Sequence, residues 1–184
     1  MDRVRDSARQ AMTRLRELGV EPVMITGDAE VVARTVAAEL GITRFHARVL
    51  PADKARIVRE LDAEGPTAYV GDGVNDAPAL LAADLGVAIG AGTNVAIESA
   101  DLVLVDDDPS DVARALTLAR ATSRKMTQNL VWATGYNVVA IPLAAGVAAT
   151  AGVLLEPAIG ALLMSASTVI VSLNAMLLRR TDLS

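Results

Sequence analysis

The run Ala68-Tyr69-Val70-Gly71-Asp72-Gly73-Val74-Asn75-Asp76-Ala77-Pro78-Ala79-Leu80 carries two carboxylates at the end of an apolar segment. Ala68 to Val70 reads as a buried strand that ends at Gly71, so Asp72 is delivered to the strand's carboxyl end. The glycines allow a tight turn, and Asp76 stands at the mouth of a short helix. Two carboxylates at the tip of a parallel strand make an oxygen-rich site suited to Mg²⁺ and phosphate chemistry. Asp-Gly and Asn-Asp are also common turn pairs, so the run by itself is compatible with a simple surface turn.

The flanking segments argue for the strand. Upstream, a helix from Met1 stops at Gly19, with Val4, Ala8, Ala11, Met12, Leu15 and Leu18 on one face. A strand Val20 to Ile25 runs into Thr26-Gly27-Asp28, and the helix Ala29 to Leu40 stops at Gly41. A short strand near Phe45 to Val49 leads to Leu50-Pro51-Ala52-Asp53-Lys54 and a helix with Ile57, Val58 and Leu61 inward. Downstream, Gly86 to Ile89 and Leu102 to Val105 read as strands, and a helix follows from about Asp111 to Gln128. Strand and helix alternate, which predicts an α/β domain: a parallel, Rossmann-like sheet with helices on both faces.

In such sheets the chemistry gathers at the carboxyl ends of the strands. Here those ends offer a hydroxyl (Thr26), a cation (Lys54) and carboxylates (Asp72, Asp76), the set that phosphoryl transfer needs. His46, the one histidine, reads as a surface strand residue, and Asp106 to Asp108 as a solvated turn.

Composition narrows the remaining classes. Of 184 residues 52% are apolar but only 2% aromatic, so Ala, Val, Leu and Ile must fill the interior. The absence of cysteine excludes disulfides and thiolate metal sites within the chain. A net charge of −5, with no basic stripe, argues against nucleic acid as a partner. The start of the chain shows no signal-peptide pattern.

Charge is divided sharply along the chain. Residues 1–128 hold 15 of the 17 Lys and Arg, whereas between Asn129 and Leu178 only Glu156 is charged. Residues 130–149 and 158–178 are uncharged runs, each long enough to cross a bilayer core of about 30 Å. The predicted organisation is a cytoplasmic domain 1–128, a two-helix transmembrane hairpin 129–178 and a short tail 179–184. Arg120, Arg124 and Lys125 precede the first run, and Arg179 and Arg180 follow the second. Basic residues stay inside, so both ends are expected in the cytoplasm and Glu156 outside, in a multi-pass protein of the cell membrane.

Polar residues in lipid either glue helices together or mark an ion path. Met164 beside Ser167 and Thr168, with Tyr136, Asn137 and Pro142 on the other helix, suggests the second. A thioether is a soft ligand that favours Cu⁺ or Ag⁺. Neither run offers the Asp or Glu expected for a hard divalent ion.

Three motifs, Met24-Ile-Thr-Gly-Asp28, Pro51-Ala-Asp-Lys54 and Val70-Gly-Asp-Gly-Val-Asn-Asp-Ala-Pro-Ala-Leu80, together resemble the phosphorylation domain of P-type ATPases, which belong to the haloacid-dehalogenase-like phosphotransferases. The resemblance implies that Thr26 and Gly27 contact the phosphoryl group with Asp28 beside them, and that Lys54 neutralises its charge. It also implies that Asp72 binds Mg²⁺ and that Asn75 and Asp76 complete the site. Gly135-Tyr-Asn137 with Pro142, and Met164-Ser-Ala-Ser-Thr168 with Asn174-Ala175, resemble the last two helices of the copper-transporting branch. That resemblance implies Tyr136, Asn137, Met164 and Ser167 as contacts of the transported ion, Cu⁺ or else Cu²⁺ or Ag⁺.

The family's phosphorylated aspartate lies in an Asp-Lys-Thr-Gly-Thr run, which this sequence lacks. The chain therefore reads as the C-terminal segment of an ATP-driven copper exporter, with its ATP site incomplete and the N-terminal part of the pump as its partner. Covalent catalysis by this chain alone is not expected. A split-pump subunit, or a membrane-anchored metal-binding or regulatory protein, is the alternative.

Overall fold

The computed structural model describes residues 4–72, 74–90, 94–147, 152 and 156–180. Gly73, residues 148–149 of the first expected span, most of the connection before Glu156 and residues 181–184 of the tail lie outside the described residues. The chain divides into two compact units, Met1–Ala115 and Leu116–Ser184.

The first unit alternates strand and helix in the order α1 (Asp6–Glu17), β1 (Val23–Ile25), α2 (Glu30–Leu40), β2 (Arg44–His46), α3 (Pro51–Asp62), β3 (Ala68–Gly71), α4 (Ala77–Leu80), β4 (Leu85–Ile89), α5 (Asn94–Ser99) and β5 (Leu102–Leu104). All strand pairs are parallel. They form two ladders, β1-β2 and β3-β4-β5, where the sequence suggested one sheet. The ladders share a core. Val58 of α3, Tyr69 of β3 and Ala79 and Leu80 of α4 form a buried cluster, and Ile25 of β1 packs against it. Aliphatic residues also line the helices: Ala11 and Leu15 of α1 and Ala33 and Ala37 of α2 are buried, in line with the composition.

Two local differences from the sequence reading have clear causes. β2 ends at His46 rather than Val49, because the next amides leave the ladder. Arg48 N–H donates to the Asp28 carbonyl at 2.9 Å and Val49 N–H to the Thr26 carbonyl at 3.0 Å. α1 begins at Asp6 rather than Met1, since Arg5 is extended and its guanidinium bonds to the Asp107 carbonyl (2.7 Å) and carboxylate (2.9 Å). The acidic triplet thus serves as a structural turn: Asp107 holds Arg5, and Asp108 accepts from the Ser110 amide at 2.9 Å. That bond lowers the Asp108 pKa. α5 was not expected from the sequence.

At the amino-terminal end of β3, Asp84 accepts from the Thr67 amide at 3.2 Å and lies against Asp62, the last residue of α3. The hydrogen bond to Asp84 raises the Asp62 pKa, with burial and the like charge adding to it. A group raised in the folded state contributes stability that is present below the ordinary carboxyl range and is lost as pH rises through the raised value. Asp62→Asn keeps a donor for Asp84 and removes the charge. It is expected to flatten the decline of thermal stability as pH rises above the ordinary carboxyl range, read from melting curves of the chain in detergent. An unchanged pH profile would show that the pair carries no proton linkage.

The second unit holds most of α6 (Ser110–Ala144) and α7 (Pro157–Met176), the latter followed by a 3₁₀ turn Leu177–Arg180. The boundary expected after residue 128 falls inside α6, because no Gly or Pro interrupts the helix there. Pro142 lies inside α6, which ends at Ala144. Among the described residues one helix, Ala158–Arg179, is long and apolar enough to cross a membrane, and none of it is buried within the protein. Its 22 residues reach about 33 Å.

Candidate functional site

β1 ends at Ile25, so Thr26-Gly27-Asp28 forms the turn at its carboxyl end. The Thr26 hydroxyl donates to Asp28 Oδ2 at 2.9 Å and accepts from the Asp28 amide at 3.2 Å, which folds the turn on itself. The bonds from Arg48 and Val49 fasten the next loop to this turn. Leu50 then starts α3, with Pro51 in its first turn, where a fixed φ suits the helix and a missing N–H costs nothing. Lys54 follows one turn in. The Thr26 turn and Lys54 are therefore held in one framework by main-chain bonds.

β3 contributes the acidic side. Along it Tyr69 and Gly71 are buried while Ala68 and Val70 are exposed, the alternation of a strand covered on one face. Asp72 follows at the strand's end and is exposed, as is Asn75. The 3₁₀ turn Val74–Asp76 leads into α4 and returns Asp76 over the strand. Asp76 is only 6% exposed, the buried charged residue among the described residues. Its Oδ1 accepts from Lys54 Nζ at 2.6 Å and from the Tyr69 hydroxyl at 2.8 Å. A β carbon on Gly71 would stand 2.8 Å from Asp76 Cβ and 3.0 Å from Cγ and Oδ2. Gly71 is thus required for close approach: any side chain there would expel the carboxylate.

Tyr69 was not among the residues the motifs suggested, yet it completes the Asp76 pocket. Burial raises its pKa, and the bond and charge of Asp76 raise it further, with Asp72 adding to the effect. The phenol therefore stays protonated and remains a donor to Asp76. A signal was available: one tyrosine two residues before the glycine, on the same strand face, in a chain with only two tyrosines.

Of the expected site residues, Lys54 and Asp76 are in direct contact, Thr26 and Asp28 are bonded to each other, and Asp72, Asn75 and Gly27 lie exposed at the ends of strands or turns. Asp72 and Asp76 supply hard oxygens from a single turn, a donor set that fits Mg²⁺, which commonly takes one or two carboxylates and completes its shell with phosphate and water. No group of three or more His, Cys, Asp or Glu able to hold a metal occurs among the described residues.

Arg48 has φ +54°, the one described residue other than glycine in the left-handed region. Such a conformation costs about 1 kcal/mol or more in a non-glycine residue. Arg48→Gly is expected to raise stability by about 1 kcal/mol or slightly less, since the added chain freedom of glycine offsets part of the gain. Denaturant titration checks this, and a loss of stability would show that the arginine side chain contributes more than its backbone costs.

In the second unit the residues suggested for the transported ion are distributed over two helices. The Asn137 amide donates to the Ala133 carbonyl of its own helix at 2.9 Å, and Met164 is 63% exposed. Ser167 and Tyr136 are half-buried, and the Tyr136 hydroxyl lies 3.5 Å from the Gly160 carbonyl.

Comparison with known proteins follows the same lines. A family model described as haloacid dehalogenase-like hydrolase matches residues 1–84. The copper-exporting P-type ATPase B of Archaeoglobus fulgidus is 58% identical over 97% of this chain. The probable copper-transporting P-type ATPase B of Staphylococcus aureus is 51% identical over the same share. The chain spans 26% and 27% of these two relatives, about a quarter of their length. Among solved structures, a zinc-transporting PIB-type ATPase in its E2·Pi state superposes with a TM-score of 0.84 at 38% identity, covering 97% of this chain and 28% of that one.

Proposed function

We propose that the chain is a segment of a heavy-metal P-type ATPase and that it supplies the Mg²⁺ and phosphate half-site of a copper-exporting pump, together with that pump's last two membrane helices. The haloacid dehalogenase-like match over residues 1–84 and the likeness to copper- and zinc-transporting relatives support this reading. The observation that carries this reading is the part-buried Lys54–Asp76 contact at 2.6 Å, set near the carboxyl end of β3, which also bears exposed Asp72.

In this proposal a phosphoryl group passes from ATP to an aspartate of the pump's N-terminal part. Thr26 turns its hydroxyl from Asp28 to a phosphoryl oxygen, and the Gly27 amide donates to another. Lys54 presents a cation to the developing charge, oriented by Asp76, which Tyr69 in turn holds. Asp72 would hold Mg²⁺, with Asn75 and with Asp76, whose Oδ1 already accepts two hydrogen bonds, completing the site. Mg²⁺ held there would neutralise negative charge on the phosphoryl group. Lys54, Asp76 and Tyr69 are already bonded to one another before the reaction, and such preorganisation is where electrostatic catalysis gains most.

The transported ion is proposed to be copper, as Cu⁺ or else Cu²⁺ or Ag⁺. The soft thioether of Met164, the absence of Asp and Glu from both apolar runs, and the copper-named relatives support it. Tyr136, Asn137 and Ser167 are the proposed further contacts. The membrane segment is proposed to be a hairpin of 130–149 and 158–178, with 1–128 and the tail on the cytoplasmic side of the cell membrane.

The test is incorporation of labelled phosphate from ATP. The purified chain alone is expected to form no acid-stable phosphoprotein. Joined to an N-terminal portion that bears Asp-Lys-Thr-Gly-Thr, it is expected to form one that needs Mg²⁺ and is stimulated by Cu⁺. Labelling of the isolated chain, or copper-independent labelling of the joined protein, would overturn the proposal.

A further inference from the structure

Most polar side chains along α7 are satisfied by their own helix. Ser165 donates to the Ala161 carbonyl, Thr168 to Met164 and Ser172 to Thr168, at 2.9 to 3.1 Å. Such back-bonds meet the needs of a hydroxyl in an apolar setting, but they say nothing about where the next helix lies. Asn174 is different. Its Oδ1 accepts from Lys125 Nζ at 2.8 Å, and its Nδ2 donates to Asn129 Oδ1 at 2.8 Å and, at 3.4 Å, to Gln128 Oε1. Lys125, Asn129 and Asn174 are all half-buried. One amide thus uses both its acceptor and its donors across to α6. The other polar link between the two helices among the described residues is the long Tyr136–Gly160 contact.

We propose that Asn174 is a positioning residue that sets the register and rotation of α7 against α6. Apolar contacts between such helices are nearly interchangeable from one turn to the next, because Leu, Val and Ala recur along both. A single inter-helix amide makes one register better than its neighbours, since every slip breaks its bonds to the Lys125 ammonium and to the Asn129 and Gln128 amides. The bonds lie at the end of the pair where Lys125, Arg124 and Arg179 gather, and α7 carries Met164 ten residues away. Fixing α7 there fixes the height and facing of Met164 relative to Tyr136 and Asn137. The registry role stands on the hydrogen bonds alone; its consequence for metal transport rests on the pump reading above.

Because the chain has no cysteine, spin labels can be placed uniquely. Met126 and Met176 are exposed, at 67% and 59%, and suit a pair of labels on Met126→Cys and Met176→Cys. The labelled full chain in lipid nanodiscs is expected to give one narrow distance distribution. Adding Asn174→Ala is expected to broaden it at least twofold, and Lys125→Met, which keeps the apolar stem, is expected to broaden it less. Unchanged distributions in both variants would overturn the proposal.

In the joined pump, Asn174→Ala is expected to lower copper moved per ATP hydrolysed at least tenfold. Labelling from inorganic phosphate, which does not require metal transfer, should stay within twofold. A proportional fall in transport and hydrolysis would point to simple loss of folding and overturn the positioning role. If the unaltered pump moved no metal, the pump reading would fail, and the spin-label distances would still decide the registry.

Discussion

Lys54→Met is expected to lower phosphorylation of the joined pump by about 10³-fold, the scale seen when one preorganised electrostatic group is removed from a phosphoryl or acyl transfer site. The same change is expected to destabilise the chain by about 2–3 kcal/mol. Breaking a buried ion pair typically costs about 3–5 kcal/mol, because the surviving charge has lost its partner. The figure is reduced here because the Lys54 side chain retains 18% exposure and the Tyr69 hydroxyl still donates to Asp76. The two effects separate in a double mutant. Lys54→Met with Asp76→Asn removes both charges and is expected to recover most of the stability while leaving phosphorylation absent. Thermal unfolding in detergent and labelled-phosphate incorporation read them in parallel. If the double mutant regained phosphorylation, Lys54 would be only a neutraliser of Asp76.

Gly71→Ala is expected to cost about 3 kcal/mol and to reduce phosphorylation at least tenfold. The new methyl would meet Asp76 Cβ at 2.8 Å, a contact at the root of the side chain that rotation about χ1 cannot relieve. The backbone of β3 or of the turn before α4 must move, and overpacking of this kind costs about 1–3 kcal/mol or more. Both strong bonds to Asp76 would be displaced with it. Hydrogen exchange should therefore speed up in α4 and the amino-terminal half of α3 and remain unchanged in α7. A stable protein with unaltered exchange would mean that the turn yields more easily than its contacts suggest.

Much of the candidate site was legible in the sequence. Thr26 and Asp72 could be singled out because each stands at the end of an apolar run, and Lys54 and Asp76 because they add a cation and a second carboxylate in nearby turns or helix starts, a set whose shared chemistry is specific. The network around Asp76 was not legible. Sequence spacing gives no indication that Lys54, 22 residues upstream, and Tyr69, seven residues upstream, meet on the same carboxylate oxygen. Nor could it show that Asp107 is engaged with Arg5, a contact 102 residues apart. The end of β2 was misplaced for a similar reason: the apolar run continues to Val49, but the Arg48 and Val49 amides find better acceptors in the neighbouring turn.

The amino-acid sequence by itself determined the alternation of strands and helices, the division between charged and apolar halves, and the residue types available for phosphoryl transfer. These follow from periodicity, composition and local turn chemistry, which act over a few residues. Only the tertiary structure decided which of those residues touch. Asp76 is buried and doubly hydrogen-bonded rather than free at a turn, because α3, β3 and α4 enclose it and Gly71 leaves room. Asn174 reaches across to α6 while its polar neighbours on α7 fold back on their own helix, because at that height Lys125 and Asn129 offer a donor and an acceptor. Both outcomes depend on where distant segments are brought together, and packing settles that.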